Sequence, residues 1–266
     1  MATEKPYFPL HVGKALSNIA LGDDIAGDDT GDNISSKNAS YCELTGMYWA
    51  WKNLSDTDVI GLCHYRRYFD FHGQCRKFVP FDEFPTSDFA NIDISVPDKV
   101  IETLRSGQAI IAEPFYDKYN LATSYCIAHI SEDLRTMQEA IRETQPEKFI
   151  RAFDTVMYRN NGLSHYNMFI MTWGDFDKYC RWLFPLLAEI ESRIDISNYN
   201  PVQRRIFGYM AERLLNVYLY AENFRKIYKP IVKITEKPQN LARHIFIRNR
   251  LRGDIITALA RSRSWI

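Results

Sequence analysis

The chain lacks most signatures that settle a protein's chemistry at once. Cysteine is sparse: Cys42, Cys63, Cys75, Cys126 and Cys180. Their number is odd, none forms a CxxC, and none stands with a histidine at zinc-ligand spacing. That excludes a disulfide framework and predicts reduced thiols in a cytoplasmic protein. Charge of one sign is lacking too, since 33 Lys and Arg balance 33 Asp and Glu. No global field would draw in a nucleic acid, so none is expected as a partner. No apolar run reaches the ~18 residues that cross a bilayer. The first ten residues hold prolines and charges where a signal peptide would be apolar. GxxxxGK[ST], GxGxxG after a strand and HExxH are all missing, which counts against nucleotide hydrolases, dinucleotide enzymes and zinc proteases. Asp-x-Asp occurs at Asp56–Asp58 and Asp175–Asp177. The first precedes a strand and the second opens a helix, so neither is placed to hold a divalent metal against a diphosphate. No metal ligand and no cofactor is assigned.

What is present suits one α/β domain, read as residues 1–235, with a helical extension over 236–266. Hydrophobic residues make up 46% of the chain and aromatics 14%, enough for a sizeable core or for surfaces that stack on sugars and bases. Residues 22–38, rich in Gly, Asp, Asn and Ser, predict a loop. A helix follows at about 39–53, then a short buried strand at Val59–Cys63. Further strands are expected at Ala109–Ala112 and Met168–Thr172. Helices are expected at 131–144, around Phe176–Leu186 with Pro185 as a kink, and most clearly at about 202–221. This alternation predicts a parallel or mixed sheet with helices on both faces.

Four constellations carry possible chemistry. His64, Tyr65, Arg66 and Arg67 end a strand, where α/β sheets bind ligands, and the guanidinium forks match diphosphate oxygens. On an extended chain Arg66 and Arg67 point to opposite sides. Asn33, Lys37 and Asn38 lie where a polar loop enters a helix whose free N–H groups suit an anion. Ser40 and Glu43 there have the spacing of a capping box, which competes with any catalytic role for Glu43. Arg205, Tyr209, Glu212 and Asn216 line one stripe of the 202–221 helix beside an apolar face of Ile206, Phe207, Met210, Leu214 and Val217. Glu212 reads either as a general base or as half of a solvated ion pair. His165 and Asn167 enter a strand, where they bind a sugar or satisfy local backbone.

From Lys237 onward the chain turns basic, with Arg243, Arg248, Arg250, Arg252, Arg261 and Arg263 among Leu241, Ile245, Leu251, Ile255, Ile256, Leu259 and Trp265. Two readings stand: a helical hairpin packed on the domain, or an amphipathic anchor over 241–266 for the anionic inner leaflet.

The runs NISSKNASYCELTGMYWAWKNL, DVIGLCHYRRYF, HYNMFIM and DISNYNPVQRRIFGYMAERLLNVYL are four ordered blocks over most of residues 5–220. They closely resemble a bacterial family from capsular and exopolysaccharide gene clusters, long known only as a domain of unknown function. It is related to the galactofuranosyltransferase module of lipopolysaccharide O-antigen polymerases. The resemblance implies a GT-A-like, Rossmann-like mixed sheet flanked by helices. It also implies inverting transfer of a hexosyl group, galactofuranosyl included, from a UDP-sugar to a hydroxyl of a lipid-linked or oligosaccharide acceptor. The cysteine pattern and the basic tail over 241–266, read separately from this resemblance, lead to the expectation of a cytoplasmic protein peripheral on the inner face of the membrane.

By the same resemblance His64–Arg67 stand where other GT-A enzymes carry Asp-x-Asp, so that Arg66 or Arg67 would neutralise departing UDP in place of a metal. Glu212 becomes the leading base, with Asp32, Glu43 and Asp133 as rivals, and His165, Asn167 and Tyr209 face the acceptor. Tyr65, Trp49 and Tyr166 are the aromatics expected to flank sugar or uracil. One departure stands out: the family's first strand, with its Thr-His-Lys-like motif, is expected to be missing, and Glu4 stands near the expected His. The alternatives are a non-catalytic glycan-binding or assembly subunit and a sugar-phosphate transferase.

Overall fold

The computed structural model describes residues 2, 5–22, 25–239 and 242–263, with side chains through Ile255. The expectations placed on Glu4, Leu241 and Trp265, and on the side chains of Ile256, Leu259, Arg261 and Arg263, lie outside the described residues.

The chain opens with β1 (Leu10–His11) and β2 (Ala26–Gly27), paired in parallel, then α1 (Asn38–Tyr41) and α2 (Leu44–Asn53). Next come β3 (Val59–Leu62), β4 (Arg67–Phe69), β5 (Phe81–Pro85), α3 (Asp98–Thr103), β6 (Gln108–Ala112) and β7 (Phe115–Tyr116). A helical stretch follows: α4 (Leu121–Ala128), α5 (Ser131–Thr144) and α6 (Glu147–Arg159). After β8 (Gly162–Leu163) and β9 (Phe169–Thr172) come α7 (Trp173–Glu191) and α8 (Ile206–Ala221). The chain continues through β10 (Arg225–Lys229), β11 (Ile231–Thr235) and α9 (Arg243–Arg263).

The central sheet has the order β10-β6-β9-β3 and is mixed, because β10 runs parallel to β6 while β9 is antiparallel to both β6 and β3. Alternation along β6 and β9 divides the core in two. Ala109, Ile111, Phe169 and Met171 face the helical layer of α4–α8. Ile110, Ala112, Met168 and Ile170 face Phe69, Leu104 and Ile231. Side chains on a strand alternate sides, so a strand covered on both faces must be apolar throughout. The second face is therefore covered by α3 and by a small sheet, β4-β11-β5, in addition to helices as expected. Most aromatics serve the core. Tyr179, Trp182, Tyr218 and Phe149 stack as one cluster between α6, α7 and α8.

Four local expectations are corrected. The helix at 39–53 is two helices, because Cys42 has φ 53 and its N–H closes α1 on the Asn38 carbonyl. Ser40 thus lies inside α1, donating to the Lys37 carbonyl at 3.2 Å, and no capping box forms with Glu43. The Val59–Cys63 strand is not buried: β3 pairs with β9 alone among the described residues, Gly61 is exposed, and its neighbours are half-buried. Such an edge is hydrogen-bonded along one side only, although Ile60 and Leu62 touch one half of the core and Val59 and Cys63 the other. The tail forms a single helix, α9, rather than a hairpin. No helix among the described residues is long and apolar enough to cross a membrane.

Candidate functional site

One group of the polar residues singled out above gathers where α8, the β8–β9 loop and the β3–β4 turn meet. Ser164–Asn167 form that loop, and two consecutive non-glycine residues, Tyr166 (φ 74) and Asn167 (φ 53), take left-handed backbone. Such a pair is costly and persists only when neighbours hold it. α8 supplies much of the hold. Asn216 donates to the Ser164 carbonyl at 3.1 Å and accepts the Ser164 N–H at 3.3 Å. The Tyr166 N–H donates to Glu212 Oε1 at 2.8 Å. Asn167 Nδ2 donates to the Gly208 carbonyl at 3.2 Å and to Glu43 Oε1 at 2.7 Å. Gly208 permits the close approach of α1: a Cβ there would stand 3.2 Å from Cys42 Sγ.

The other wall is the β3–β4 connection. His64 and Arg67 pair through Arg67 N–H to His64 O at 3.0 Å, so the chain reverses over Tyr65 and Arg66 instead of running extended. The two arginines are consequently separated by a turn. Tyr65 and Arg66 sit exposed at its tip, with the Arg66 guanidinium 5.0 Å from the Tyr65 ring. Arg67 lies inside, 4.5 Å over the Tyr166 ring, with its Nε buried and unpaired. His64 Nε2 donates to the Tyr166 carbonyl at 2.7 Å. A carbonyl only accepts, so Nε2 carries the proton and Nδ1 faces Arg67 Nη1 at 3.5 Å as an acceptor. Neither Arg66 nor Arg67 forms a salt bridge among the described residues.

Glu212 is the electrostatic centre. Its side chain is 13% exposed, and Oε2 lies 3.0 Å from Arg213 Nη1 and 3.5 Å from His165 Nδ1. Burial alone would push the carboxyl up. The His165 contact and charge, Arg213 and the Tyr166 N–H outweigh it and hold the group at about 2. Such a carboxylate stays ionised at neutral pH and takes up a proton poorly. It does hold the Nδ1 side of His165, whose ring packs edge-on against Phe115 at 5.9 Å. Nε2 lies on the far side of the ring from Glu212, an arrangement in which a carboxylate orients an imidazole.

The structure thus brings together His64, Arg67, His165, Asn167, Glu43 and Glu212, with Tyr209 one turn earlier on α8, stacked on His129 at 4.2 Å. Tyr65 and Arg66 stand at the rim. The remaining candidates have other partners. Asp32 accepts the Tyr48 hydroxyl at 3.2 Å, and Asp133 is buried against the Tyr199 hydroxyl at 2.6 Å. Burial pushes the Asp133 carboxyl up despite that hydrogen bond. Lys37 pairs with Glu191 at 2.6 Å. Asn33 and Asn38 close local turns on the Gly31 and Cys42 carbonyls. Trp49 is buried, with Nε1 on Thr30 Oγ1 at 2.9 Å, and is not a stacking surface for a ligand. Thr172 caps α7 by accepting the Asp175 N–H, the Asp175 carboxylate accepts from Ser106, Gly107 and Thr172, and Asp177 binds Trp51 and Arg181, so this Asp-x-Asp is structural.

Arg213 escapes a reading of the sequence by motifs, although it leaves a signal there. It falls on the same helical face as Ile206, Met210 and Val217, and an arginine within an apolar stripe requires a buried partner. Among the described residues no three His, Cys, Asp or Glu side chains converge as a metal cluster. A groove of about 680 Å³ along α9 and one of about 420 Å³ beside α4 and α5 are lined by none of these site residues.

The profile of a family described as a domain of unknown function (DUF4422) matches residues 1–223. Among solved structures, the apo form of WbbM, a bifunctional glycosyltransferase, superimposes with a TM-score of 0.76 at 28% identity. The match covers 87% of this chain and 42% of that one, so the chain spans less than half of that protein's length. No curated protein sequence matches. The mixed α/β architecture is GT-A-like, as the sequence implied.

Proposed function

The chain belongs to the DUF4422 family, and from that membership, the likeness to a bifunctional glycosyltransferase and the polar cluster around Tyr166 we propose that it is a glycosyltransferase using a UDP-sugar. The reaction is an inverting single displacement. His165 Nε2 takes the proton of an acceptor hydroxyl, whose oxygen bonds to the anomeric carbon on the face opposite the nucleotide. The bond from that carbon to the diphosphate oxygen breaks, and its electron pair leaves with UDP. Arg67, held over Tyr166 and joined at the rim by Arg66, meets the negative charge. Glu212 positions His165 and stabilises its imidazolium, in place of the role of base that the sequence suggests for it. The acceptor is a lipid-linked or oligosaccharide chain of a surface polysaccharide.

The observation that carries this reading is the double use of Tyr166, whose N–H binds Glu212 while its carbonyl binds His64. Base side and cation side are parts of one rigid unit. The test is a panel of UDP-sugars, UDP-galactofuranose included, assayed for UDP release and for product mass. A glycan product one hexose heavier supports the proposal. A product that retains phosphate identifies a sugar-phosphate transferase, and glycan binding without UDP binding identifies a non-catalytic subunit.

A further inference from the structure

Helix α9 has two faces with different tasks. One docks on the domain. Phe246 and Asn249 are buried, Asn249 Nδ2 donates to the Tyr116 carbonyl at 3.1 Å, and the Asn249 carbonyl accepts from Asn161 at 3.1 Å. Arg250 meets Glu113 at 3.3 Å, and Gly253 lies so close to Asn161 that no Cβ fits. These positions recur at three- and four-residue spacing, as one helical face must.

The opposite face is a shallow groove of about 680 Å³ lined by His244, Ile247, Arg248, Leu251, Arg252 and Ile255. It consists of two parallel rows at four-residue spacing, aliphatic at 247, 251 and 255, and basic at 244, 248 and 252. Leu251 is 58% and Ile255 61% exposed. None of the six is acidic, and among the described residues neither Arg248 nor Arg252 is in a salt bridge. Beside the first turn, the Arg243 guanidinium lies 5.2 Å over the ring of Phe78, which is 64% exposed in a loop that also carries Lys77.

We propose that this face of α9, with the Phe78 loop, docks on an anionic lipid bilayer. Ile247, Leu251 and Ile255 enter the headgroup boundary, and the flanking basic row meets lipid phosphates. An aliphatic stripe bordered by unpaired cations matches such a surface in both polarity and sign. A second copy of this chain does not: a two-fold contact would set the basic row against itself. The row from His244 to Ile255 is ~17 Å long, enough to lie along a membrane plane. On the inward side Phe246 packs 5.2 Å from Phe115, the ring that borders His165. A bilayer held by α9 would thus lie near the base and suit a lipid-linked acceptor. That last link alone rests on the glycosyltransferase reading.

The test is co-sedimentation of the full chain with vesicles of phosphatidylglycerol mixed with phosphatidylcholine, against phosphatidylcholine alone. The anionic vesicles are expected to pellet the protein, and added salt to release it. Leu251→Asp, and Ile255→Asp one turn on, should each lower partitioning about tenfold. Joint Arg248→Gln and Arg252→Gln should lower it about tenfold and flatten the salt dependence. All three sets lie on an exposed face, so melting and UDP titration should not change. Failure here therefore leaves the catalytic reading intact, and the reverse also holds. No binding to anionic vesicles at low salt, or binding indifferent to all three sets, overturns the proposal. So does a dimer in solution that Leu251→Asp dissociates, which would make the groove a contact between copies.

Discussion

His64 and Glu212 hold opposite ends of a single residue: His64 Nε2 donates to the Tyr166 carbonyl at 2.7 Å, and Glu212 Oε1 accepts the Tyr166 N–H at 2.8 Å. A shift of either partner moves the loop that carries His165 on one side and supports Arg67 on the other. Geometry at His165 and at Arg67 is thereby coupled through one residue.

Glu212 is expected to stabilise the fold in a pH-dependent way. Its carboxyl is lowered from an ordinary 4.5 to about 2. A lowered acid stabilises fully above about 4.5, and that contribution is lost as pH falls through 2. The shift corresponds to about 3 kcal/mol. Glu212→Gln should therefore cost roughly that much in urea unfolding at pH 7, and the gap from the parent protein should narrow below pH 4.5. A gap that stays constant down to pH 2.5 would show that the charge is not the cause.

The division of labour between His165 and Glu212 is readable from kinetics. His165→Gln should lower kcat by about 10²–10⁴ with UDP affinity little changed. Glu212→Gln should lower kcat less, since an orienting group is removed and the proton acceptor remains. The opposite order would return the role of base to Glu212.

Arg67 and Arg66 should differ although they are adjacent in sequence. Arg67→Ala is expected to weaken UDP binding by about 10–100-fold in a calorimetric titration, the range for losing a charge-assisted hydrogen bond. Arg66→Ala, at the exposed turn tip, should cost only a few-fold. If these cations take the place of a metal, turnover should survive EDTA. Activity that EDTA abolishes and Mn²⁺ restores would refute their role.

Asn167 is 2% exposed and holds left-handed backbone while bonding Glu43 and Gly208. Asn167→Ala forfeits both bonds and tolerates that φ less well, so a loss of about 2–4 kcal/mol is expected by chemical denaturation. Asn167→Gly, which removes the backbone strain but not the lost bonds, should recover about 1 kcal/mol of it. Equal stability of the two variants would mean that the bend is not strained.

Several elements are legible in the amino-acid sequence. The acids Glu132 and Asp133 and the apolar spacing that follows them mark α5, and it spans Ser131–Thr144. The Ile206–Val217 stripe marks α8, whose apolar face is buried. β10 is not legible, because RKIYK alternates weakly and is strand only through its parallel pairing with β6. The break at Cys42 has no Gly or Pro to announce it. At the site, Glu212, His165, Asn167 and Arg67 each stand out in the sequence, but as members of separate motifs. An extended chain would set Arg66 and Arg67 on opposite faces, whereas a turn sorts them into rim and interior.

The sequence by itself determined where helices run and which side chains are apolar enough to be buried, because those signals repeat every 3.6 or 2 residues along a local stretch. Tertiary structure decided which polar atoms meet. The partners of Glu212 come from its own helix and from a loop far upstream, and that loop's left-handed bend is held by α8, by Glu43 at the start of α2 and by the β3–β4 turn at once. No local rule of spacing encodes a contact that several distant segments must make together.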